Sequence, residues 1–331
     1  MTDATYRAVV CEALGHPESL RLRPWPRQPL RPGAVRLRIA AAGVNFPDLL
    51  TIQGRYQHRP QLPFVPGMEA AGVVLEMAAD VRGLCLAQRV IARMRSGGYA
   101  EEAVVPMGQV VAMPETFAFA EAATFLVAHV TAYHGLATRG GLASGQTLLV
   151  LGAAGGVGLA AVQIGRALGA RVLAAASTAS KLQAAISNGA HAAIDYSREP
   201  VEDAVNRITA GKGAEVVFDP VGIAQASALR CVAPGGRLLI AGFAGGSIPA
   251  YAANRILLKG CSVIGVRAGE AGRQHPAQRR RELDAVLALA AQGLVRPFVS
   301  ARLPLAQWAT AMRLLEARKA IGRVALTMDT P

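Results

Sequence analysis

The second half of the chain alternates between short apolar runs and longer segments in which apolar residues recur with helical spacing. The apolar runs predict strands at 147–151, 171–175, 192–194, 214–218, 236–240 and 261–266. Helical spacing between them favours helices, among them 158–168, 181–188 and 224–231. Alternating strands and helices indicate a parallel sheet with right-handed crossovers, and six strands complete a doubly wound α/β fold.

The first 110 residues show a different pattern, in which short β segments are separated by turns. Strands are predicted at 7–10, 35–39, 72–76 and 89–92, and four prolines interrupt the stretch between the first two. We expect this region to form a smaller, mostly antiparallel or barrel-like β domain. An apolar segment with helical spacing, 117–136, separates it from the α/β region.

The C-terminal segment carries two helical patterns, at 277–292 and 305–318, and two candidate strands, at 295–303 and 324–327. This segment is too short to bury a core of its own, so we expect it to complete the N-terminal domain. The predicted division of the chain is therefore 1–124 with 267–331 for one domain and 125–266 for the other.

A glycine-rich turn lies between the apolar run 147–151 and the helical pattern that follows it. Gly152, Gly155 and Gly158 recur every three residues, which is a variant of the dinucleotide-binding fingerprint. Glycines let the backbone approach a pyrophosphate, and the first turn of the helix directs N–H groups at the negative charge. The pattern predicts a dinucleotide site at this turn.

The residues about 20 positions beyond the first glycine select the coenzyme, because an acid there accepts a hydrogen bond from the ribose 2′-hydroxyl of NAD. Here the stretch 175–178 contains no acid. Ser177 and Lys181 lie at a predicted strand end and helix start, where both can face a 2′-phosphate, and Tyr196 could reach the same group. Solvent-exposed roles for Lys181 and Tyr196 are the alternatives. The absence of the acid favours NADPH.

Composition and charge narrow the range of functions. The 331 residues are 52% hydrophobic but only 5% aromatic, and the net charge is +13. The densest basic cluster, Arg279–Arg281 after Arg273, has no interleaved aromatic residues, so a nucleic-acid role is not indicated. The apolar runs are shorter than the ~18 residues of a membrane span. The N-terminal residues lack a signal pattern, and we expect a soluble, cytoplasmic protein.

Several motifs together resemble one known family. They are Gly43-Val44-Asn45-Phe46 with Asp48, Gly54 and Tyr56, the segment 66–72, Thr131-Ala132-Tyr133, the turn 153–158, Asp219-Pro220-Val221-Gly222, and Ile321-Gly322-Arg323-Val324. The chain resembles the zinc-free NADPH:quinone oxidoreductases (zeta-crystallin-like) of the medium-chain dehydrogenase/reductase superfamily over nearly its whole length. The resemblance implies a GroES-like catalytic domain joined to a six-stranded Rossmann domain.

The resemblance also implies a site. Residues matching the cofactor-lining positions are Asn45, Thr131, Ala154, Gly155, Gly156, Val157, Ser177, Lys181, Tyr196, Gly242, Phe243 and Arg323. To these we add Gly152 of the turn, and Val221 and Val266 beside the expected substrate cleft. Asn45 is expected at the nicotinamide end and Tyr56 at the substrate mouth. Asp48 is a candidate for fixing the loop backbone or for proton transfer. Leu50 and Ile52 replace Tyr and Arg of bacterial relatives, which makes the expected pocket more apolar.

The zinc-binding alcohol dehydrogenases of this superfamily carry Cys where Asn45 stands and His where Met68 stands. Catalytic zinc needs about three protein ligands in one place, and these two residues supply neither thiolate nor imidazole. The four cysteines form no C-x-x-C pair, and His129 and His134 lie in an apolar helical segment where a structural role is expected. We therefore expect no metal.

These observations predict an NADPH-dependent reductase that transfers hydride to quinones or conjugated carbonyl compounds. One alternative is a reductase of carbon–carbon double bonds in enones or acyl thioesters, and a coenzyme A thioester would give the basic cluster a role. Another is a non-catalytic NADPH-binding protein with structural or RNA-binding duties. By resemblance, we expect a homodimer through the edge strand 261–266 and no membrane partner.

Overall fold

The computed structural model describes residues 5–222 and 225–328. They group into two compact units. The first, which we call the β-rich unit, comprises the chain up to Val127 and the segment from Pro297 onward. The second, the α/β unit, comprises Ala128–Arg296. None of the helices in the described ranges is long and apolar enough to cross a membrane.

The elements follow one another along the described residues. The strands are β1 (Thr5–Val10), β2 (Arg21–Pro26), β3 (Ala34–Val44), β4 (Glu69–Met77), β5 (Arg89–Arg93), β6 (Glu102–Pro106), β7 (Val110–Ala112), β8 (Thr147–Leu151), β9 (Arg171–Ala176), β10 (Ala192–Asp195), β11 (Ala214–Asp219), β12 (Val232–Ile240), β13 (Ser262–Gly265), β14 (Val299–Pro304) and β15 (Arg323–Thr327). The helices are α1 (Phe46–Ile52), α2 (Phe119–Ala122), α3 (Leu126–Tyr133), α4 (Gly156–Ala167), α5 (Ala179–Ser187), α6 (Val201–Ile208), α7 (Gln225–Cys231), α8 (Ala253–Lys259), α9 (Ala268–Gln274), α10 (Pro276–Ala291) and α11 (Trp308–Glu316).

The β-rich unit is built on a seven-stranded sheet with the order β14-β15-β3-β4-β5-β7, and β6 also pairs with β3. All pairings are antiparallel except that of β14 with β15. Strand β15 pairs with β3, so the end of the chain is built into the N-terminal sheet. Strand β2, which the sequence did not predict, contains Pro24 and Pro26, and it tolerates them because its only described partner is β1.

The α/β unit contains the predicted six-stranded parallel sheet, with the order β10-β9-β8-β11-β12-β13. Its central strand, β8, is almost fully apolar and buried, as expected for a strand covered by helices on both faces. The doubly wound fold predicted from the sequence is confirmed. All six strands run in the same direction, so their carboxyl ends share one edge of the sheet, where such folds bind ligands.

Two segments differ from the sequence expectation. The predicted helix 117–136 is divided into α2, α3 and a π-helical segment, His134–Arg139, and the Thr124 hydroxyl donates to the Ala120 carbonyl at 2.9 Å between the first two. Residues 267–296, which we expected with the N-terminal domain, group with the α/β unit, and residues 125–127 group with the β-rich unit. Helix α10 is tied there because Glu282 lies 2.8 Å from His134, and the Gln163 amide donates to the Arg296 carbonyl at 2.8 Å.

Candidate active site

The glycine-rich turn after β8 leaves no room for side chains at two of its glycines. Gly152 has a φ of +57°, and a Cβ atom there would lie 2.3 Å from Cγ2 of Val221. A Cβ on Gly158 would lie 2.3 Å from the Gly152 carbonyl oxygen. Gly155 is the N-cap of α4. Because these glycines have no side chains, the first turn of α4 can lie directly against the end of β8. The N–H groups of that turn lack intrahelical acceptors.

The other cofactor residues predicted near the turn differ in burial. Ala154 is buried in the turn itself, while Gly156 and Val157, the first two residues of α4, are half-buried. Thr131 is half-buried in α3. Ala153 donates its N–H to the Ala175 carbonyl at 3.0 Å, which joins the turn to the end of β9.

The ends of β9 and β10 bring Ser177, Lys181 and Tyr196 to one edge. Ser177 directly follows β9, and Thr178 caps α5 by accepting the Lys181 backbone N–H at 3.3 Å. Tyr196 donates its N–H to the Ala176 carbonyl at 3.2 Å, so it lies beside the same strand end. The three residues therefore follow the carboxyl ends of two neighbouring strands.

One acid, Asp195, also lies at this edge, in register with Ala176. Its carboxylate accepts the hydroxyl of Ser197 at 2.6 Å and the Ser197 N–H at 3.0 Å. These hydrogen bonds lower the pKa of Asp195. The carboxylate is therefore engaged by its own turn.

The ends of β11 and β12 form the next part of the edge. Asp219 is buried and accepts the N–H groups of Val221 and Gly222, each at 2.8 Å. This fixes the loop that contacts the Gly152 position. A Cβ on Gly242 would lie 3.0 Å from the Pro220 carbonyl oxygen, so that chain also passes close by.

Two other predicted residues lie at the ends of β12 and β13. The Phe243 side chain is partly exposed beyond the end of β12. Val266, in contrast, is buried, with Cγ1 3.2 Å from the Cβ position of Gly135. It packs against the segment that follows α3.

The β-rich unit contains a buried polar cluster, which we define as Asn45, Asp48, Glu69, Tyr99 and Arg323. Asn45 and Asp48 are 2% and 1% exposed, and Glu69 is fully buried. The local part is a capping motif, because Asn45 precedes α1 and donates its N–H to Asp48 Oδ2 at 2.9 Å. The Tyr99 hydroxyl donates to the same oxygen at 3.1 Å.

Long-range contacts hold the Asn45 side chain. Its Nδ2 donates to Glu69 Oε1 at 3.2 Å and to the Gly43 carbonyl at 3.3 Å, while its Oδ1 accepts from Arg323 at 2.8 Å. Arg323 also donates to Glu69 Oε1. The other Glu69 oxygen accepts the Val127 N–H at 2.9 Å. The amide is therefore fixed in orientation by a carboxylate on one side and a guanidinium on the other.

Burial sets the protonation of this cluster. It raises the pKa of Asp48 to about 7, against the lowering effect of the Asn45 N–H and the Tyr99 hydroxyl. Burial also raises the pKa of Glu69, which the charge of Arg323 opposes. The pKa of Tyr99 is raised by burial and by the neighbouring Asp48 charge, so its hydroxyl stays a donor. Asp48 is thus the member that titrates near neutral pH.

Glu69 and Tyr99 were not selected by the sequence reasoning. The spacing of Asn45 and Asp48 is readable as a capping box, but Tyr99 contacts Asp48 from 51 positions away and has no local signal. An acid at the start of the apolar strand β4 is the one signal that could have identified Glu69.

Tyr56 is half-buried just beyond α1 and donates its N–H to the Leu50 carbonyl at 3.2 Å. Of the two residues expected to make the pocket apolar, Ile52 is fully buried in the core of the β-rich unit and Leu50 is half-buried.

The positions that hold zinc in the alcohol dehydrogenases carry other groups here. The Asn45 amide is hydrogen-bonded as described, and residues 5–222 and 225–328 contain no group of three His, Cys, Asp or Glu side chains that could hold a metal ion. His129 lies 3.1 Å from Gln163 and His134 lies 2.8 Å from Glu282, so both histidines take part in contacts inside the α/β unit.

Two family models match this chain, one in the β-rich unit and one in the α/β unit. Residues 31–115 match the family model for the alcohol dehydrogenase GroES-like domain, and residues 156–291 match that for zinc-binding dehydrogenases. A quinone oxidoreductase-like protein 2 homolog from Nematostella vectensis is 36% identical over 326 residues, which cover 97% of this chain and 89% of that protein.

Solved structures extend the similarity to the fold. A probable oxidoreductase from Mycobacterium abscessus is 35% identical, with a TM-score of 0.89 and coverage of 98% of this chain and 99% of that one. The quinone oxidoreductase from Thermus thermophilus, solved also in complex with NADPH, is 33% identical, with a TM-score of 0.82 and coverage of 97% and 99%. The chain therefore belongs to the quinone oxidoreductase family of the medium-chain dehydrogenase/reductase superfamily, and it is an oxidoreductase.

Proposed function

We propose that this oxidoreductase uses NADPH, needs no zinc, and transfers hydride to quinones or conjugated carbonyl compounds. The observation that carries the coenzyme assignment is the edge formed by β9 and β10. Ser177 follows β9, Lys181 lies in the first turn of α5 and Tyr196 follows β10. Asp195, the acid at the end of β10, accepts two hydrogen bonds from Ser197. Hydroxyl and ammonium groups are donors that suit a 2′-phosphate.

The glycine turn fits the pyrophosphate of the same coenzyme. Cβ atoms at Gly152 and Gly158 would overlap neighbouring atoms, so the backbone can come close to a ligand at the first turn of α4. The loop held by Asp219 and the chain at Gly242 border the same sheet edge. When bound, NADPH supplies the hydride, and the protein supplies binding and orientation.

In the β-rich unit, the polar cluster gives Asp48 a positioning role in this proposal. Asp48 Oδ2 accepts both the Asn45 N–H and the Tyr99 hydroxyl, and the residue is buried, so it fixes the start of α1. Asn45 and Tyr56 are assigned by resemblance to the nicotinamide end of the coenzyme and to the substrate. The fixed amide of Asn45 supports the first assignment, because a hydrogen-bonding group that is already oriented loses little entropy on binding.

Zinc independence follows from the chemistry of the side chains. An amide and a thioether stand at Asn45 and Met68 where zinc enzymes use thiolate and imidazole, and the Asn45 amide is already hydrogen-bonded to Glu69 and Arg323. We therefore expect full activity in the presence of a chelator.

We also propose a homodimer through β13. Within the described residues β13 pairs only with β12, which leaves a sheet edge open. Leu257 and Leu258 on the preceding helix, α8, are 80% and 83% exposed. An open edge beside exposed leucines is typical of a covered surface. Light scattering would show a dimer for the wild type and a monomer for Leu258→Asp; a monomeric wild type at micromolar concentration would contradict this proposal.

A steady-state screen of electron acceptors tests the function. NADPH absorbance should fall with 1,4-benzoquinone or with a conjugated enone, and kcat/KM should be about 100-fold higher with NADPH than with NADH, which corresponds to ~2.7 kcal/mol. Relative kcat/KM over quinones and enones decides between the two acceptor classes. Coenzyme binding without turnover on any acceptor would instead support a non-catalytic protein.

A further inference from the structure

Asn45 uses both N–H groups of its side-chain amide inside the protein. Its Nδ2 donates to Glu69 Oε1 at 3.2 Å and to the Gly43 carbonyl oxygen at 3.3 Å. Its Oδ1 accepts one hydrogen bond, from Arg323 at 2.8 Å, and an amide oxygen has a second lone pair. The amide can therefore offer an acceptor to a bound molecule, but it has no donor left to offer.

The partners of the amide decide which of its ends is the oxygen. A carboxylate only accepts hydrogen bonds and a guanidinium only donates them, so the NH₂ group faces Glu69 and the oxygen faces Arg323. A rotated amide would set its oxygen against the carboxylate and its NH₂ group against the guanidinium. Glu69 and Arg323 thus hold the amide in a single orientation.

The Glu69 carboxylate is itself held in one place. Its Oε2 accepts the Val127 N–H at 2.9 Å, and its Oε1 accepts from Asn45 and Arg323. A Cβ atom on Gly43 would lie 2.8 Å from Oε1, so the glycine makes room for the carboxylate. Three donors shared by the two oxygens suit the ionised form and fix the side chain.

Stability alone is a poor reason for this arrangement. Glu69 and Arg323 are 0% and 6% exposed, and the cost of taking two charges out of water can exceed their attraction. In addition, Arg323 Nε is buried and has no hydrogen-bond partner in residues 5–222 and 225–328. A buried donor without a partner costs free energy, so the guanidinium that contacts Asn45 Oδ1 has a position at which a bound polar group would be favourable.

We infer that Glu69 is a positioning residue for the reduction, because it makes Asn45 present only an acceptor to the nicotinamide end of the coenzyme. This inference rests on the proposed function, which assigns Asn45 to that end. The donors there are the N–H groups of the carboxamide and the hydroxyls of the nicotinamide ribose. Glu69 acts through Asn45, whose backbone N–H is held separately by Asp48. One acid thus fixes the backbone of Asn45 and another fixes its side chain.

The test compares NADP⁺ with adenosine 2′-phosphate 5′-diphosphate, which has the same phosphates but lacks the nicotinamide riboside. In Glu69→Gln a single amide oxygen replaces two acceptors that serve three donors, so Asn45 is no longer held in one orientation. By titration calorimetry, we expect the dissociation constant of NADP⁺ to rise about tenfold, or ~1.4 kcal/mol. That of the fragment should not change, whereas a general loss of structure would raise both.

Glu76→Gln is the matched control. Glu76 lies in the same strand, β4, and also pairs with a buried arginine, Arg36, at 2.8 Å. The same loss of charge in the same strand should leave both dissociation constants at their wild-type values.

Exchanging the acid and the amide tests the polarity directly. Asn45→Asp alone sets two carboxylates against each other. In Asn45→Asp with Glu69→Gln, the carboxylate at position 45 can accept from Arg323 and from the amide at position 69, and it still offers an acceptor. We expect this double variant to bind NADP⁺ more tightly than either single variant. It also keeps one carboxylate beside Arg323, so it decides the question if Glu69→Gln does not fold in a thermal melt.

Three results would overturn the inference. They are wild-type affinity of Glu69→Gln for NADP⁺, an equal loss of affinity for the fragment, and a double variant that binds NADP⁺ no better than the weaker single variant.

The inference and the proposed function fail in distinguishable ways. If no acceptor oxidises NADPH but the expected affinities are found, the reductase proposal is wrong and Glu69 still sets the polarity of Asn45. If benzoquinone is reduced but Glu69→Gln binds NADP⁺ like the wild type, the reductase proposal stands and Glu69 is not a positioning residue.

Discussion

The glycine turn after β8 and the buried polar cluster around Asn45 position functional groups by different physical means. The turn is made of consecutive residues, and its geometry depends on atoms that are absent, the Cβ atoms of Gly152 and Gly158. The cluster joins residues up to 278 positions apart, and it depends on charges that balance one another inside the protein. A site formed by the backbone of consecutive residues can therefore be predicted from a short stretch of sequence. A site that depends on charges from residues far apart in sequence cannot.

The largest change in the free energy of unfolding is expected from a substitution in the buried polar cluster. Arg323→Met removes the guanidinium that hydrogen-bonds Glu69, and an unpaired buried carboxylate costs about 3–5 kcal/mol of unfolding free energy. Adding Glu69→Gln to this variant should restore part of the loss. Urea denaturation measures both, with Arg302→Met, an exposed arginine of the same unit, as the control. Equal stability of Arg323→Met and Arg302→Met would show that the cluster is not charge-balanced as described.

A substitution in the glycine turn should lower the free energy of unfolding less than Arg323→Met does, but it should lower the affinity for NADPH more. Gly158→Ala puts a methyl group 2.3 Å from the Gly152 carbonyl oxygen, and overpacking of this kind costs about 1–3 kcal/mol. NADPH affinity should fall as the turn shifts. Gly108→Ala, at an exposed position of the β-rich unit, has no atom within 4 Å of its new methyl group and serves as the control in thermal melts and in fluorescence titration with NADPH. Unchanged affinity in Gly158→Ala would remove the turn from the coenzyme site.

Substitution of a proposed 2′-phosphate donor should have a smaller effect, which we expect in the KM for NADPH. Lys181→Gln should raise the KM for NADPH about tenfold, or ~1.4 kcal/mol, without changing the KM for NADH. Lys212→Gln, in the same unit and exposed, should change neither value. An equal rise for both coenzymes would mean that Lys181 supports the fold of α5 and not the 2′-phosphate.

The pH dependence of stability also separates the two regions, because the cluster contains a buried acid whose pKa is raised to about 7. Because the pKa of Asp48 is raised from 3.8 to about 7 in the folded protein, the folded state binds a proton that the unfolded state has released between these pH values. This group therefore makes the free energy of unfolding fall as pH rises from about 4 to about 7, by at most ~1.4 kcal/mol per pH unit.

Denaturation of wild type and Asp48→Asn across this pH range checks the sign. The variant should lose that part of the slope, whereas Asp203→Asn, an exposed acid of the α/β unit, should keep it. A wild-type slope that Asp48→Asn leaves intact would assign the titration to another group.

How much the sequence could predict follows from the same contrast. Five of the six parallel strands were predicted to within one residue at each end, because each is a local apolar run. The sixth, β12, begins four residues before the predicted 236–240. Strand β2 was missed because Pro24 and Pro26 argue against a strand unless it lies at an edge, and edge position is a property of the whole sheet. Ile52 was assigned to the pocket, but it is buried in the core. The face of α1 on which a residue lies depends on its position within a helical turn, and the motif alone did not show that position.

The grouping of residues 267–296 with the α/β unit shows the same limit. It depends on a contact between Glu282 and His134, which are 148 positions apart, and on the Gln163 amide that reaches the Arg296 carbonyl. The helical periodicity of α10 is local and was predicted. Its partner is not encoded in that periodicity, so the division between the units could not be derived from it.

The central claim is that the edge formed by β9 and β10 holds an extra phosphate. The most direct measurement is the dissociation constant of NADP⁺ and of NAD⁺ on one preparation of the protein, by titration calorimetry in the same buffer. The account predicts that NADP⁺ binds about 100-fold more tightly, a difference of ~2.7 kcal/mol. Equal affinities, or tighter binding of NAD⁺, would contradict it.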